Sequence, residues 1–152
     1  MIIRSMVILL LTFSAFSRGD GCNVNDAMIF SCRMSDSSFY ICSGENKAYF
    51  KHFNKGINDF VYPKNEVPGI FTLSSIGYSG GGETRMEFKQ GKYLYSIYDR
   101  VIKSEINGET YPDFESGMEI IKNNIVISKK ECLSSSGVNL SLAKKLFRLI
   151  SR

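Results

Sequence analysis

The chain has 152 residues, with 19 Lys and Arg against 15 Asp and Glu, one histidine and four cysteines. A net charge of +4, mixed along most of the sequence, is too mild to argue for nucleic acid as a partner. The length gives one domain with room for a core.

The first segment reads as an address. Met1-Ile2-Ile3-Arg4 is short and basic, Met6 to Phe16 is apolar, and Ala15-Phe16-Ser17 puts small residues where a signal peptidase needs them. The apolar run is short for a bilayer span, so residues 1–17 are predicted to be a signal peptide cleaved after Ser17. No lipobox precedes Cys22, so lipidation is not expected there. The expected location is the periplasm or the exterior. There, Cys22, Cys32, Cys42 and Cys132 form two disulfides, with three connectivities open. No two cysteines stand two to four residues apart and His52 is the lone histidine, so neither a metal nor a cofactor is expected.

From Met28 the pattern is that of short strands. Met28, Phe30, Cys32 and Met34 share one parity, Ser35-Asp36-Ser37-Ser38 supplies turn chemistry, and Phe39-Tyr40-Ile41-Cys42 returns. A turn centred near Ser37 would set Cys32 opposite Cys42 and leave Cys22 for Cys132; the competing pairing joins Cys32 to Cys132 and Cys22 to Cys42. Gly44-Glu45-Asn46 turns into a strand from Lys47 to Phe53. Asn54-Lys55-Gly56 turns into another from Asp59 to Tyr62, closed by Pro63. Residues 65–69 read as a loop and Ile70 to Ser74 as a strand.

The stretch Gly77 to Phe88 then stands out. Three successive glycines allow backbone shapes closed to other residues, and Glu83, Arg85 and Glu87 alternate with Thr84, Met86 and Phe88 as in a half-buried strand. The expectation is a glycine loop at the mouth of a hairpin. It would present Tyr78 and Ser79, allow close approach at Gly80, Gly81 and Gly82, and offer Glu83 and Arg85 as polar contacts to a protein partner. Lys89-Gln90-Gly91-Lys92 turns into the tyrosine-rich strand from Tyr93 to Tyr98. Asn107-Gly108 is a turn, and Tyr111-Pro112-Asp113 is expected to extend that break. Met118 to Lys122 and Ile125 to Ser128 are β-branched strands around Asn123-Asn124.

The tail changes character. After Leu133-Ser134-Ser135-Ser136-Gly137, a linker by composition, Asn139 or Ser141 is placed to cap a helix from Leu142 to Ile150. Its basic amphipathic pattern also suits a membrane surface; packing on its own sheet is the expectation. The organisation is thus a signal peptide over 1–17, a β domain over 18–133, and a linker with a short basic helix over 134–152. The fold class is all-β: an antiparallel sandwich or small barrel of about eight strands, disulfide-linked, with a short C-terminal helix.

Catalysis finds little purchase. His52 lies in an alternating aromatic strand with no partner legible in the sequence. No Lys-Ser or Lys-Thr follows the glycines, so they do not make a phosphate loop. Glu83 and Glu87, two carboxylates of one strand with Arg85 between them, are spaced too widely for a retaining glycosidase and read as a ladder on a solvated sheet face. An enzyme is not expected.

Phe30-Ser31-Cys32, Tyr78-Ser79-Gly80-Gly81-Gly82-Glu83, Phe88-x-x-Gly91-x-Tyr93-x-Tyr95-x-x-Tyr98 and Tyr111-Pro112-x-Phe114-x-Ser116-Gly117-Met118 resemble a group of small exported β proteins of Gram-negative bacteria. The resemblance covers roughly Phe30 to Cys132 and implies a bridge between first and last strands, Cys32 to Cys132, leaving Cys22 for Cys42. More distantly, the layout is similar to the periplasmic lysozyme inhibitors, in which a Ser-Gly loop with a nearby tyrosine enters the enzyme cleft. Ser79 and Gly80 match that loop; Gly82 stands where those inhibitors carry tyrosine, and Tyr78 precedes the motif. The resemblance implies a binding protein that blocks a cell-wall hydrolase. A periplasmic immunity protein against a delivered toxin, or an envelope-associated module whose basic tail touches lipid, are the alternatives.

Overall fold

Period-two hydrophobicity interrupted by Asn and Gly turns builds two stacked sheets. The computed structural model describes residues 21–64 and 69–151; the expected signal peptide over 1–17 and most of the expected loop over 65–69 lie outside them. Strands β1 (Ala27–Arg33), β2 (Ser37–Gly44), β3 (Lys47–Asn54) and β4 (Ile57–Tyr62) form an antiparallel meander. Strands β5 (Phe71–Tyr78), β6 (Gly81–Gln90), β7 (Tyr93–Ile106), β8 (Glu109–Lys122) and β9 (Ile125–Glu131) form a second. Two-residue strands β10 (Ser134–Ser135) and β11 (Arg148–Leu149) complete them, giving the orders β10-β1-β2-β3-β4 (sheet A) and β11-β5-β6-β7-β8-β9 (sheet B). The class is therefore all-β with a short helix, as expected, with more strands than the sequence pattern suggested and with β11 running parallel to β5.

Between the sheets lies an aromatic core. Phe30, Phe39, Ile41 and Phe50 from sheet A meet Phe71, Leu73, Met86, Phe88 and Ile97 from sheet B, all buried. Phe50 and Phe88 meet across the layers at 5.1 Å between ring centroids, and Tyr62 stacks on Phe88 at 4.3 Å. Each such side chain contributes about 1.5–3 kcal/mol on leaving water. The turns fall where Asn and Gly accept positive φ: Lys55-Gly56, Asn107-Gly108 and Asn123-Asn124 are two-residue turns of that kind.

Register decides the disulfides. The first turn lies over Met34–Asp36, closed by the Met34 N–H donating to the Ser37 carbonyl at 2.8 Å, not centred near Ser37. Cys32 therefore faces Phe39, and Cys42 faces Met28, so the cross-strand Cys32–Cys42 bridge has no geometry. The bonds are Cys22–Cys42 and Cys32–Cys132, the pairing the resemblance implies. An irregularity between Met28 and Phe30 lets Ile29 and Phe30 both bury.

One further expectation is corrected. Tyr111-Pro112-Asp113 does not break the chain: β8 runs straight through it, with Pro112 opposite Lys103. A proline fits there because β8 has a neighbour on one side only at that point. The C-terminal helix packs on its own sheet, as expected, and Ser134-Ser135 of the expected linker are themselves paired with β1. Helix α1 spans Leu140–Leu146, and Arg148-Leu149 pair with β5. The Asn139 side chain caps α1 by accepting from the Leu142 N–H at 3.2 Å. Ala143 and Phe147 are buried, Leu142 and Leu146 pack on the core, and Phe147 stacks on Phe71 at 5.0 Å. The apolar side of α1 thus faces inward. Among the described residues no helix is long and apolar enough to cross a membrane.

Candidate functional site

The glycine run is not an open loop. β5 continues to Tyr78, the chain reverses over Ser79 and Gly80 alone, and Gly81 and Gly82 are already paired in β6 opposite Tyr78 and Gly77. Gly80 takes φ +88° at the turn. At Gly81 the demand is steric: a Cβ would stand 1.9 Å from the Val101 carbonyl oxygen and 3.1 Å from the Tyr78 ring. That ring lies across the side-chain-free patch, and its hydroxyl donates to the Val101 carbonyl at 3.1 Å. Tyr78 is tied down as a cover over glycine rather than held out for a partner, although 42% of it remains exposed.

Glu83 and Arg85 point to the outer face of sheet B and are spent there. Arg85 hydrogen-bonds Glu83 on its own strand, Ser96 at 3.1 Å on β7 and Glu119 at 2.9 Å on β8. Arg100 pairs with Glu115 and approaches Glu83 at 3.9 Å. Beneath them Tyr98 is 1% exposed, with the Arg85, Arg100 and Lys129 cationic groups 5.1–5.7 Å from its ring centroid. Burial alone would lower the Arg85 guanidinium, but its bonds to Glu83 and Glu119 outweigh that and raise it above its ordinary range. Burial likewise raises the Tyr98 hydroxyl. The expected solvated ladder is therefore a half-buried network across three strands, and Glu87 is itself buried, accepting from the Ser96 hydroxyl at 2.8 Å.

On the inner face the picture differs. The β6 pairing ends with Gly82 opposite Val101, and the β9 pairing ends with Glu131 opposite Gly117. Residues 102–113 of β7 and β8 therefore project as a two-stranded ribbon, paired only to each other. Where the ribbon joins the sheet, a groove of about 990 Å³ opens. Ser75, Gly77, Gly82, Thr84, Asp99, Val101, Phe114 and Ser116 contribute its sheet side, with Ser135–Val138, Leu140 and Lys144 of the tail beside them. Phe114 is 74% exposed at its mouth, and Ile106 and Tyr111 are exposed on the ribbon. Asp99 accepts from the Val138 N–H at 3.2 Å, and burial raises its carboxyl above the ordinary range.

Of the seven residues singled out in the sequence, Gly81, Gly82 and Glu83 border this groove, the Glu83 carboxylate being turned to Arg85 on the outer face; Ser79 and Gly80 form the adjacent turn, and Tyr78 and Arg85 lie on the outer face. Asp99, Val101, Phe114 and Lys144 escaped the sequence reading. The alternation of β7 past Tyr98 and of β8 before Gly117 would have marked the first three, had Pro112 not been taken as a stop; Lys144, on α1, carried no such signal.

One feature bears on chemistry. His52 Nδ1 lies 2.6 Å from Asp59 Oδ1, an orienting partner the sequence did not reveal. Among the described residues no hydrogen bond joins Ser128 Oγ to His52, although both line one cavity. Among the described residues no group of three His, Cys, Asp or Glu side chains is placed to hold a metal.

Fold and site together define a disulfide-linked, two-sheet β protein with a projecting ribbon beside an open groove. Comparisons with protein-family models, curated proteins and solved structures found no match.

Proposed function

We propose that this chain is an exported binding protein that engages a protein partner at the free end of sheet B and blocks it. The observation carrying this reading is the groove of about 990 Å³ beside the 102–113 ribbon, with Phe114 exposed at its mouth. An aromatic anchor between polar walls is the composition of an interface centre with its rim. Export is supported by the two disulfides, which an oxidising compartment maintains. It is supported too by the Arg4-to-Ser17 pattern. The site is displaced from the one first expected: the Ser79-Gly80 turn lies beside a larger surface, and the ribbon is the part long enough to enter a cleft.

A cell-wall hydrolase is the partner class that the lysozyme-inhibitor resemblance favours, and the net charge of +3 that remains once Arg4 leaves with the signal peptide (18 basic against 15 acidic residues) favours an acidic one. An acidic toxin held by an immunity protein would use the same surface. Inhibition assays against chicken-, goose- and invertebrate-type lysozymes test the hydrolase version. Inhibition that Phe114→Asp relieves at least tenfold is the expected result; full activity of all three enzymes at micromolar protein would remove lysozyme as the target.

A further inference from the structure

A second cavity, of about 230 Å³, opens on the opposite flank, where edge strand β4 of sheet A and edge strand β9 of sheet B do not pair. Its apolar lining comes from Phe50, Phe60, Tyr95, Met118 and Ile120. Phe60 stacks on Tyr95 at 5.3 Å across the two sheets, and Phe50 meets Phe60 edge-on at 5.8 Å. Three polar side chains share this lining: His52 from β3, and Ser128 and Lys130 from β9. Register explains their presence. Ser128 sits opposite Ile120 and Lys130 opposite Met118, so they share the inward parity of those apolar residues.

An inward-pointing lysine on an edge strand also guards against edge-to-edge association, which would account for Lys130 by itself. It does not account for His52. Between the pairs His52–Phe60 and Phe53–Asn58, β4 carries Asp59 as an extra residue, and such a bulge re-aims a side chain. Asp59 thereby holds His52 Nδ1 at 2.6 Å and leaves Nε2 without a partner among the described residues. Lys130 has no ion-pair partner there, and the Ser128 hydroxyl no hydrogen bond. Three unspent donors, two of them on basic side chains, thus line a slot whose walls are otherwise apolar.

From this convergence we infer that the cavity binds a small anionic amphiphile, with the carboxylate on His52, Ser128 and Lys130 and the apolar body among Phe60, Tyr95 and Met118. The volume is below the range of about 300–1,000 Å³ for drug-sized ligands, so the body is a short chain or a single ring. The site is separate from the groove at the free end of sheet B, and its ligand does not depend on the partner proposed there.

The test is titration of the full secreted chain with octanoate and, in parallel, with neutral 1-octanol, followed by backbone amide NMR shifts. Saturable octanoate binding is expected, with shifts centred on Phe60, Tyr95 and Met118, and affinity at least tenfold above that for 1-octanol. Lys130→Ala, a substitution at an exposed position, should abolish that preference while leaving octanol affinity within twofold. Met118→Trp should fill the slot and weaken both. Absence of saturable octanoate binding at millimolar concentration, equal affinity for the two ligands, or shifts centred elsewhere would each overturn the assignment.

Discussion

Two tyrosines in this protein serve the same purpose as lids on glycine. Tyr78 is paired opposite Gly81, and Tyr98 opposite Gly117, where a Cβ would stand 2.4 Å from the Lys130 carbonyl oxygen and 2.6 Å from the Tyr98 hydroxyl. An aromatic ring laid over a cross-strand glycine restores the contact that glycine lacks. Gly117→Ala must therefore displace either β9 backbone or the Tyr98 ring. We expect a loss of about 1–3 kcal/mol in denaturant unfolding, the range for overpacking a filled site. Asp99 gives a second prediction. Burial raises its carboxyl in the folded chain, so the folded state holds the proton more tightly than the unfolded state. Stability should then fall as pH rises from the ordinary carboxylate range through the folded pKa, and stay lower above it. In Asp99→Asn that decline should vanish while the Val138 N–H keeps an acceptor; an unchanged pH profile would count against the burial argument. At this scale the sequence was half legible. Gly80, Gly81 and Gly82 looked like a loop because glycine carries no parity, so the strand pairing that begins at Gly81 had no side chain to announce it. The pairing of Cys32 with Cys132 came from resemblance alone, since the hairpin register that excludes Cys42 depends on where one turn falls.

Among the elements, the β7–β8 hairpin is the one whose length the sequence concealed. Alternation was clear from Tyr93 to Tyr98 and from Met118 to Lys122, but Pro112 suppressed the strand between them. Its position beyond the end of β9 is what permits it. Replacing residues 103–112 by a two-residue Asn-Gly turn should leave the sandwich folded, because that segment pairs only with itself. We expect thermal unfolding within a few degrees of the parent and complete loss of partner binding; retained binding would place the site elsewhere. Helix α1 shows the opposite case. Its cap at Asn139 and its apolar stripe were legible, yet its end was not, because Phe147 leaves the helix to bury against Phe71 and carry Arg148-Leu149 alongside β5. Tertiary packing overrode a pattern that continued to Ile150.

For the molecule as a whole, the two disulfides divide the labour unequally. Cys22–Cys42 spans 20 residues and Cys32–Cys132 spans 100, tying β1 to the segment that leaves sheet B. Loop-closure entropy puts their contributions at about 3 and about 5 kcal/mol. The Cys32→Ser/Cys132→Ser double variant should therefore lose more stability than Cys22→Ser/Cys42→Ser, as read from urea midpoints; the reverse order would show that strain or denatured-state structure dominates. The sandwich, its aromatic core and its oxidised cysteines follow from patterns any reader of the sequence can trace. The groove does not, since it exists only because sheet B outruns its neighbours and the tail folds back beside it. The most direct test of that groove as a binding site is affinity capture from envelope extract on three immobilised baits: the parent chain, Phe114→Asp, and Ile57→Asp on the far edge strand β4. A protein retained by the parent and by Ile57→Asp but lost on Phe114→Asp is the predicted result. Retention of the same proteins by all three baits would contradict it.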